Sequence, residues 1–193
     1  MPRLFTGIEL PEAVRWQLAA LKAPLPGAKW VEPENLHITL RFAGDIANPE
    51  ANDFADALSQ ISLPAFEICV TGLGAFGGND PRVIWAGIEE SGGLDMLQRA
   101  NERAARIAGL AAEGRAFKPH VTLARLKHGR ADAVARYLGR HPVVRSEPFL
   151  VDHFVLISSR PNTGGGPYVV EEAFPLETGA ASGIWAHDEQ GNL

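Results

Sequence analysis

The chain has 193 residues, 46% of them hydrophobic, and a formal net charge of −5, which suits one domain or two closely packed lobes and excludes a bulk nucleic-acid coat. A lone cysteine, Cys69, rules out an internal disulfide and fits a reducing compartment. Met1–Leu10 is too short before Pro11 for a signal peptide and no apolar run reaches transmembrane length, so the cytoplasm is the expected location.

In chain order, Arg3 to Glu9 reads as a strand. Pro11 suits the first turn of a helix, and Val14, Leu18 and Leu21 recur at helical spacing until Pro24 and Pro26-Gly27 stop it. A short strand at Lys29–Val31 and a longer one at Leu36–Phe42 follow, the latter stopped by Gly44-Asp45. Pro49–Leu58 reads as a helix, Phe66–Leu73 as a strand, Gly74–Pro81 as a loop and Arg82–Ile88 as a strong strand. Leu94, Leu97, Ala100, Ala104 and Ile107 mark one face of a long helix ending near Ala108. After a loop at Arg115–Pro119 come a strand to about Lys127, a helix at Ala131–Leu138 and a strand at Phe149–Ser158. A glycine-rich turn at Pro161–Pro167 leads to a last strand, Tyr168–Leu176. Strands broken by helices, with hairpin-like neighbours near the end, predict an α+β domain over residues 1–177 and a tail over 178–193.

One tetrapeptide occurs twice, as His37-Ile38-Thr39-Leu40 and His120-Val121-Thr122-Leu123. On a strand, alternate side chains share a face, so each copy presents an imidazole and a hydroxyl about 6.6 Å apart, with apolar residues behind. The surroundings repeat as well. Gly7-Ile8-Glu9 ends a strand, a helix follows, and His37 comes 30 residues after Gly7; Gly87-Ile88-Glu89 does the same, with His120 33 residues after Gly87. An internal duplication is implied, hence a pseudo-twofold molecule with one histidine from each half.

A lone histidine in an apolar strand is usually structural, but two in matched contexts point to acid–base chemistry. The unperturbed imidazole pKa of about 6.5 lets one neutral ring take a proton while a charged ring gives one. Thr39 and Thr122 can donate to non-bridging phosphate oxygens. Arg41 shares parity with His37, whereas Arg125 points away from the His120 face unless the strand bulges; for both, the plain alternative is a surface cation. Eight Lys or Arg between Arg115 and Arg145 face a single acid, Asp132, which reads either as a solvated helix or as a local field for a phosphate. His128, His141, His153 and His187 lack a matching context and read as surface or packing residues. No metal is expected, because H-E-x-x-H and paired-cysteine spacings are missing from the sequence; a serine nucleophile elbow is missing too. Gly164-Gly165-Gly166 precede a strand, not a helix, and so do not form a nucleotide fingerprint.

These motifs and their flanks resemble the 2H phosphoesterases, within them the LigT-like RNA 2′,3′-cyclic phosphodiesterases, also called RNA 2′-5′ ligases. The likeness spans residues 3–177: Arg3-Leu4-Phe5 with Gly7-Ile8, Pro33 through Phe42 with Gly44, Phe117 through Arg125, and Gly166-Pro167-Tyr168 through Leu176. The resemblance implies a bilobal fold of two antiparallel sheets flanking a central cleft, with helices outside. It implies cofactor-free opening of a 2′,3′-cyclic phosphate, with His37 as proton donor, His120 as proton acceptor, and Thr39 and Thr122 on the non-bridging oxygens; Arg41 and Arg125 stand as candidate substrate contacts from their strand positions alone. RNA ends or nucleotides are the implied partners, with no membrane or protein partner and a monomeric state. Ligation would be the reverse reaction in the same site. The rival reading is a nucleotide or RNA-end binder that uses the cleft without turnover.

Overall fold

A computed structural model describes residues 3–141, 143–159 and 168–179. Its strands are β1 (Arg3–Glu9), β2 (Ala28–Trp30), β3 (His37–Asp45), β4 (Phe66–Ile68), β5 (Val70–Phe76), β6 (Val83–Ile88), β7 (His120–Leu126), β8 (Phe149–Val151), β9 (His153–Ser159) and β10 (Tyr168–Pro175). Its helices are α1 (Glu12–Ala19), α2 (Asn48–Ser59), α3 (Gly92–Ile107) and α4 (Ala131–Gly139). The glycine-rich turn and nearly all of the expected tail lie outside the described residues.

One antiparallel eight-stranded sheet runs β10-β9-β1-β3-β7-β6-β5, with β2 also on β7, and its halves β10-β9-β1-β3 and β7-β6-β5 build the two lobes. They join through a single residue pair, Ile38 opposite Val121, so β3 and β7 meet at the centre of the two tetrapeptides. The duplication read from sequence is visible here: β1 flanks β3 in one lobe as β6 flanks β7 in the other. Ile38, Leu40, Val121 and Leu123 turn their side chains into the core, each worth roughly 1.5–3 kcal/mol of burial. Both tetrapeptide strands are thereby anchored from behind.

Two expected strands prove to be broken. Phe66–Leu73 divides at Cys69 and Phe149–Ser158 at Asp152, and the leading pieces, β4 and β8, pair with each other in a small separate sheet. The expected loop from Gly74 begins as strand instead, because β5 continues to Phe76. Gly74 is needed there: a Cβ would lie 2.2 Å from the Trp85 indole on β6, its partner in register.

The helices take the outer faces. Helix α3 packs on β3, β4 and α2 through Leu94, Leu97, Ala100, Ala104 and Ala105. Ser91 caps it, its hydroxyl accepting from the Leu94 N–H at 3.3 Å. Among the described residues no helix is long and apolar enough to cross a membrane.

Candidate active site

Carrying the Ile38–Val121 register one residue each way sets His37 across from Thr122 and His120 across from Thr39. The two histidines are then diagonal neighbours, about 7–8 Å apart at the backbone, with a threonine beside each. All four side chains are half-buried.

The two imidazoles are held in the same way. His37 Nδ1 donates to the Asn35 carbonyl at 2.8 Å, and His120 Nδ1 donates to the Lys118 carbonyl at 2.6 Å. Each carbonyl lies two residues before its histidine, so the duplicated backbone fixes the same tautomer twice and leaves each Nε2 for chemistry. The rings are also walled by aromatics. Phe5 and Tyr168 lie 4.8 and 5.1 Å from His37, and Phe76 and Trp85 lie 5.0 and 6.4 Å from His120, centroid to centroid. Asn35 also accepts the Tyr168 N–H on its side-chain oxygen at 3.3 Å, tying β10 to the His37 support. Sequence reasoning gave Asn35, Lys118 and these aromatics no role; the shared offset of two residues was the available signal.

Burial pushes the pKa of both histidines below the ordinary imidazole value, against the opposing effect of their carbonyl bonds. The Arg125 charge lowers both further, and His120 adds to the effect on His37. Both rings are therefore neutral at pH 7 in the unliganded protein.

A bulge decides where the two arginines go. Register skips Leu40 between β1 and β3, and skips Leu123 between β6 and β7. Each tetrapeptide is thus bulged at its fourth residue, which reverses the alternation beyond it. Arg125 emerges exposed and acts on both histidines, as the bulge alternative allowed. Arg41, by the same reversal, is buried. Its Nε donates to Glu102 on α3, and its two Nη groups donate to the Phe42 and Ala111 carbonyls. Simple parity, which put Arg41 on the His37 face, fails at Leu40.

Half of the eight cations from Arg115 to Arg145 are spent on ion pairs: Arg115 with Glu113, Arg130 and Arg136 with Asp132, and Arg145 with Glu89. Arg115 holds the Glu113 carboxyl down at about 2. Arg125 has no ion pair among the described residues. His153 sits beside Asp152 and Glu9, and Glu9 is the register partner of His37 on β1. His187 lies outside the described residues. A cavity of 590 Å³ opens beside His120 and Thr39, walled by Phe42, Phe76, Phe117 and Gln98. No group of three or more potential metal ligands is found among the described residues.

Paired H-x-T strands sharing one cleft define a two-histidine phosphoesterase site. The family described as LigT like Phosphoesterase matches residues 8–85 and 88–168, so the chain belongs to the LigT-like phosphoesterase family. The two matched segments begin at Ile8 and Ile88, corresponding residues of the duplicated Gly-Ile-Glu. An RNA 2′,3′-cyclic phosphodiesterase of Aeropyrum pernix is 44% identical over 106 residues, 53% of this chain and 59% of the relative. One from Thermus thermophilus is 34% identical over 189 residues, 90% of each chain. LigT of E. coli, solved with 3′-AMP, superposes with a TM-score of 0.75 at 25% identity, covering 91% of this chain and 99% of that one.

Proposed function

We propose that the chain is an RNA 2′,3′-cyclic phosphodiesterase, hydrolysing the cyclic phosphate to a 2′-phosphomonoester without a metal. The observation that carries this is the diagonal His–Thr array built by one registered pair, Ile38–Val121. Family membership and the names of the relatives support it.

In this reading a cyclic phosphate occupies the space between the imidazoles. Neutral His120 takes a proton from water at Nε2 as the water oxygen attacks phosphorus. The P–O3′ bond opposite breaks, and charged His37 gives its Nε2 proton to the departing 3′ oxygen. Thr39 and Thr122 donate to the non-bridging oxygens, and Arg125 balances their charge. Because burial keeps both rings neutral in the free protein, the phosphate itself must supply the field that charges the acid. Arg41 is the brace that ties β3 to α3 and the loop before β7. The aromatic cavity next to His120 takes a nucleoside.

The test is hydrolysis of a 2′,3′-cyclic nucleotide in EDTA by wild type, His37→Ala and His120→Ala. Turnover should survive EDTA and fall by roughly 10²–10⁴-fold in each variant. A rate within about threefold of wild type in either variant removes the acid–base reading.

A further inference from the structure

Helix α3 carries Arg99, Arg103 and Arg106, all exposed and all on one face at i, i+4 and i+7. They line a shallow groove of 560 Å³ together with Glu102 and Ile107. The acid among them does not neutralise them. Glu102 Oε2 accepts from buried Arg41, and its Oε1 accepts from the Glu113 N–H at 3.3 Å, so its charge is spent inward. None of the three arginines has an ion pair among the described residues. The nearest other acid on the helix is Asp95, one turn before Arg99 and not within ion-pair distance of it.

This groove is linked to the candidate active site through α3 and the Arg41–Glu102 pair. Gln98, beside Arg99 in sequence, lines the cavity that reaches His120, and Arg41, the partner of Glu102, lines it too. Arg41 lines the cavity and its partner Glu102 lines the groove. Beyond it, Arg103 and Ile107 line a further concavity against the end of α2. With a net charge of −5 the molecule as a whole repels RNA, so attraction must be local. From Arg99 to Arg106 the helix advances about 10 Å, and each guanidinium fork fits a phosphate.

We infer that α3 is a track for the phosphates of the nucleotides next to the reacting end, so that the substrate is an oligonucleotide rather than a mononucleotide. The inference rests on the phosphodiesterase reading for the position of the reacting end. Its experiment compares wild type with Arg99→Gln/Arg103→Gln/Arg106→Gln on two substrates, a cyclic mononucleotide and a ten-nucleotide RNA ending in a 2′,3′-cyclic phosphate. The kcat/KM for the RNA should fall at least tenfold while that for the mononucleotide stays within twofold. The slope of log(kcat/KM) against log salt on the RNA should become shallower by about 2, as expected for three lost contacts to a single strand. Equal effects on the two substrates overturn the track. Fluorescence anisotropy with the same RNA carrying a 2′-phosphate reads the track without turnover: the triple variant should bind at least tenfold more weakly, and unchanged affinity overturns the inference. If wild type hydrolyses neither substrate, the phosphodiesterase reading fails and the anisotropy result decides the track. Binding to anionic vesicles but not to RNA, lost in the triple variant, would assign the face to a membrane and overturn it.

Discussion

Gly7 tests how far catalysis depends on the packing behind His37. It pairs with Thr39 in register, and a Cβ built on it would lie 2.7 Å from the Ile38 carbonyl oxygen and 3.6 Å from His37 Cδ2. Ordinary contact begins near 3.4 Å, so in Gly7→Ala strand β3 must retreat by about 0.7 Å at the residue that joins the two lobes. Overpacking of this kind costs about 1–3 kcal/mol, or roughly 2–4 °C of Tm per kcal/mol for a chain of this size. Displacing a reacting group by about 1 Å costs on the order of 10²-fold in rate, so kcat on a cyclic nucleotide should drop ten- to a hundredfold. Gly87→Ala is the matched control. Its Cβ would meet the Thr71 carbonyl at 2.6 Å, on the outer strand β5, not on the histidine strand. It should lose comparable stability with a smaller loss of kcat. Gly92→Ala, in open space at the first turn of α3, should gain about 0.4–1 kcal/mol with unchanged kcat. Thermal melts and steady-state kinetics on the three variants decide the matter. Wild-type kcat in Gly7→Ala, or an equal loss in Gly87→Ala, would refute the claim that β3 is positioned through Gly7.

Other outcomes follow from the electrostatics. The competent state has one imidazole charged and one neutral, and both pKa values in the free protein lie below 6.5. The kcat/KM profile should therefore peak below pH 6.5 and fall on either side, while kcat peaks at higher pH because the bound phosphate favours the charged ring. Arg125 lowers both values, so Arg125→Gln should move the kcat/KM profile to higher pH as well as reduce its height; a downward move contradicts the assignment. Arg41 is buried and its partner Glu102 half-buried, so removing Arg41 leaves Glu102 unpaired together with the Phe42 and Ala111 carbonyls. Arg41→Ala should lose about 3–5 kcal/mol in urea unfolding, with part of that recovered in Arg41→Ala/Glu102→Ala. Additive losses in the double variant would show that the pair does not act as a unit.

The elements that can be read from the sequence are those whose signal is local. The two H-x-T-L strands, the amphipathic spacing of α3 and the order shared by Gly7–His37 and Gly87–His120 depend only on residue type and period, and the structure places them as read with two exceptions: Ile107, expected on the apolar face of α3, is exposed in its last turn, and β3 runs on through Gly44 to Asp45 because it stays paired with β1 there. What the sequence left open depends on partners far along the chain. Whether β3 meets β7, and at which residue, is set by Ile38 and Val121 becoming buried together. The bulges at Leu40 and Leu123 exist because neighbouring strands skip a residue there, and that skip buries Arg41 against Glu102 on α3 and frees Arg125. The breaks at Cys69 and Asp152 likewise follow from β4 and β8 finding each other. Periodicity along one strand says which residues share a face; only the packing of other strands against it says where that alternation is interrupted and therefore which charge reaches the histidines.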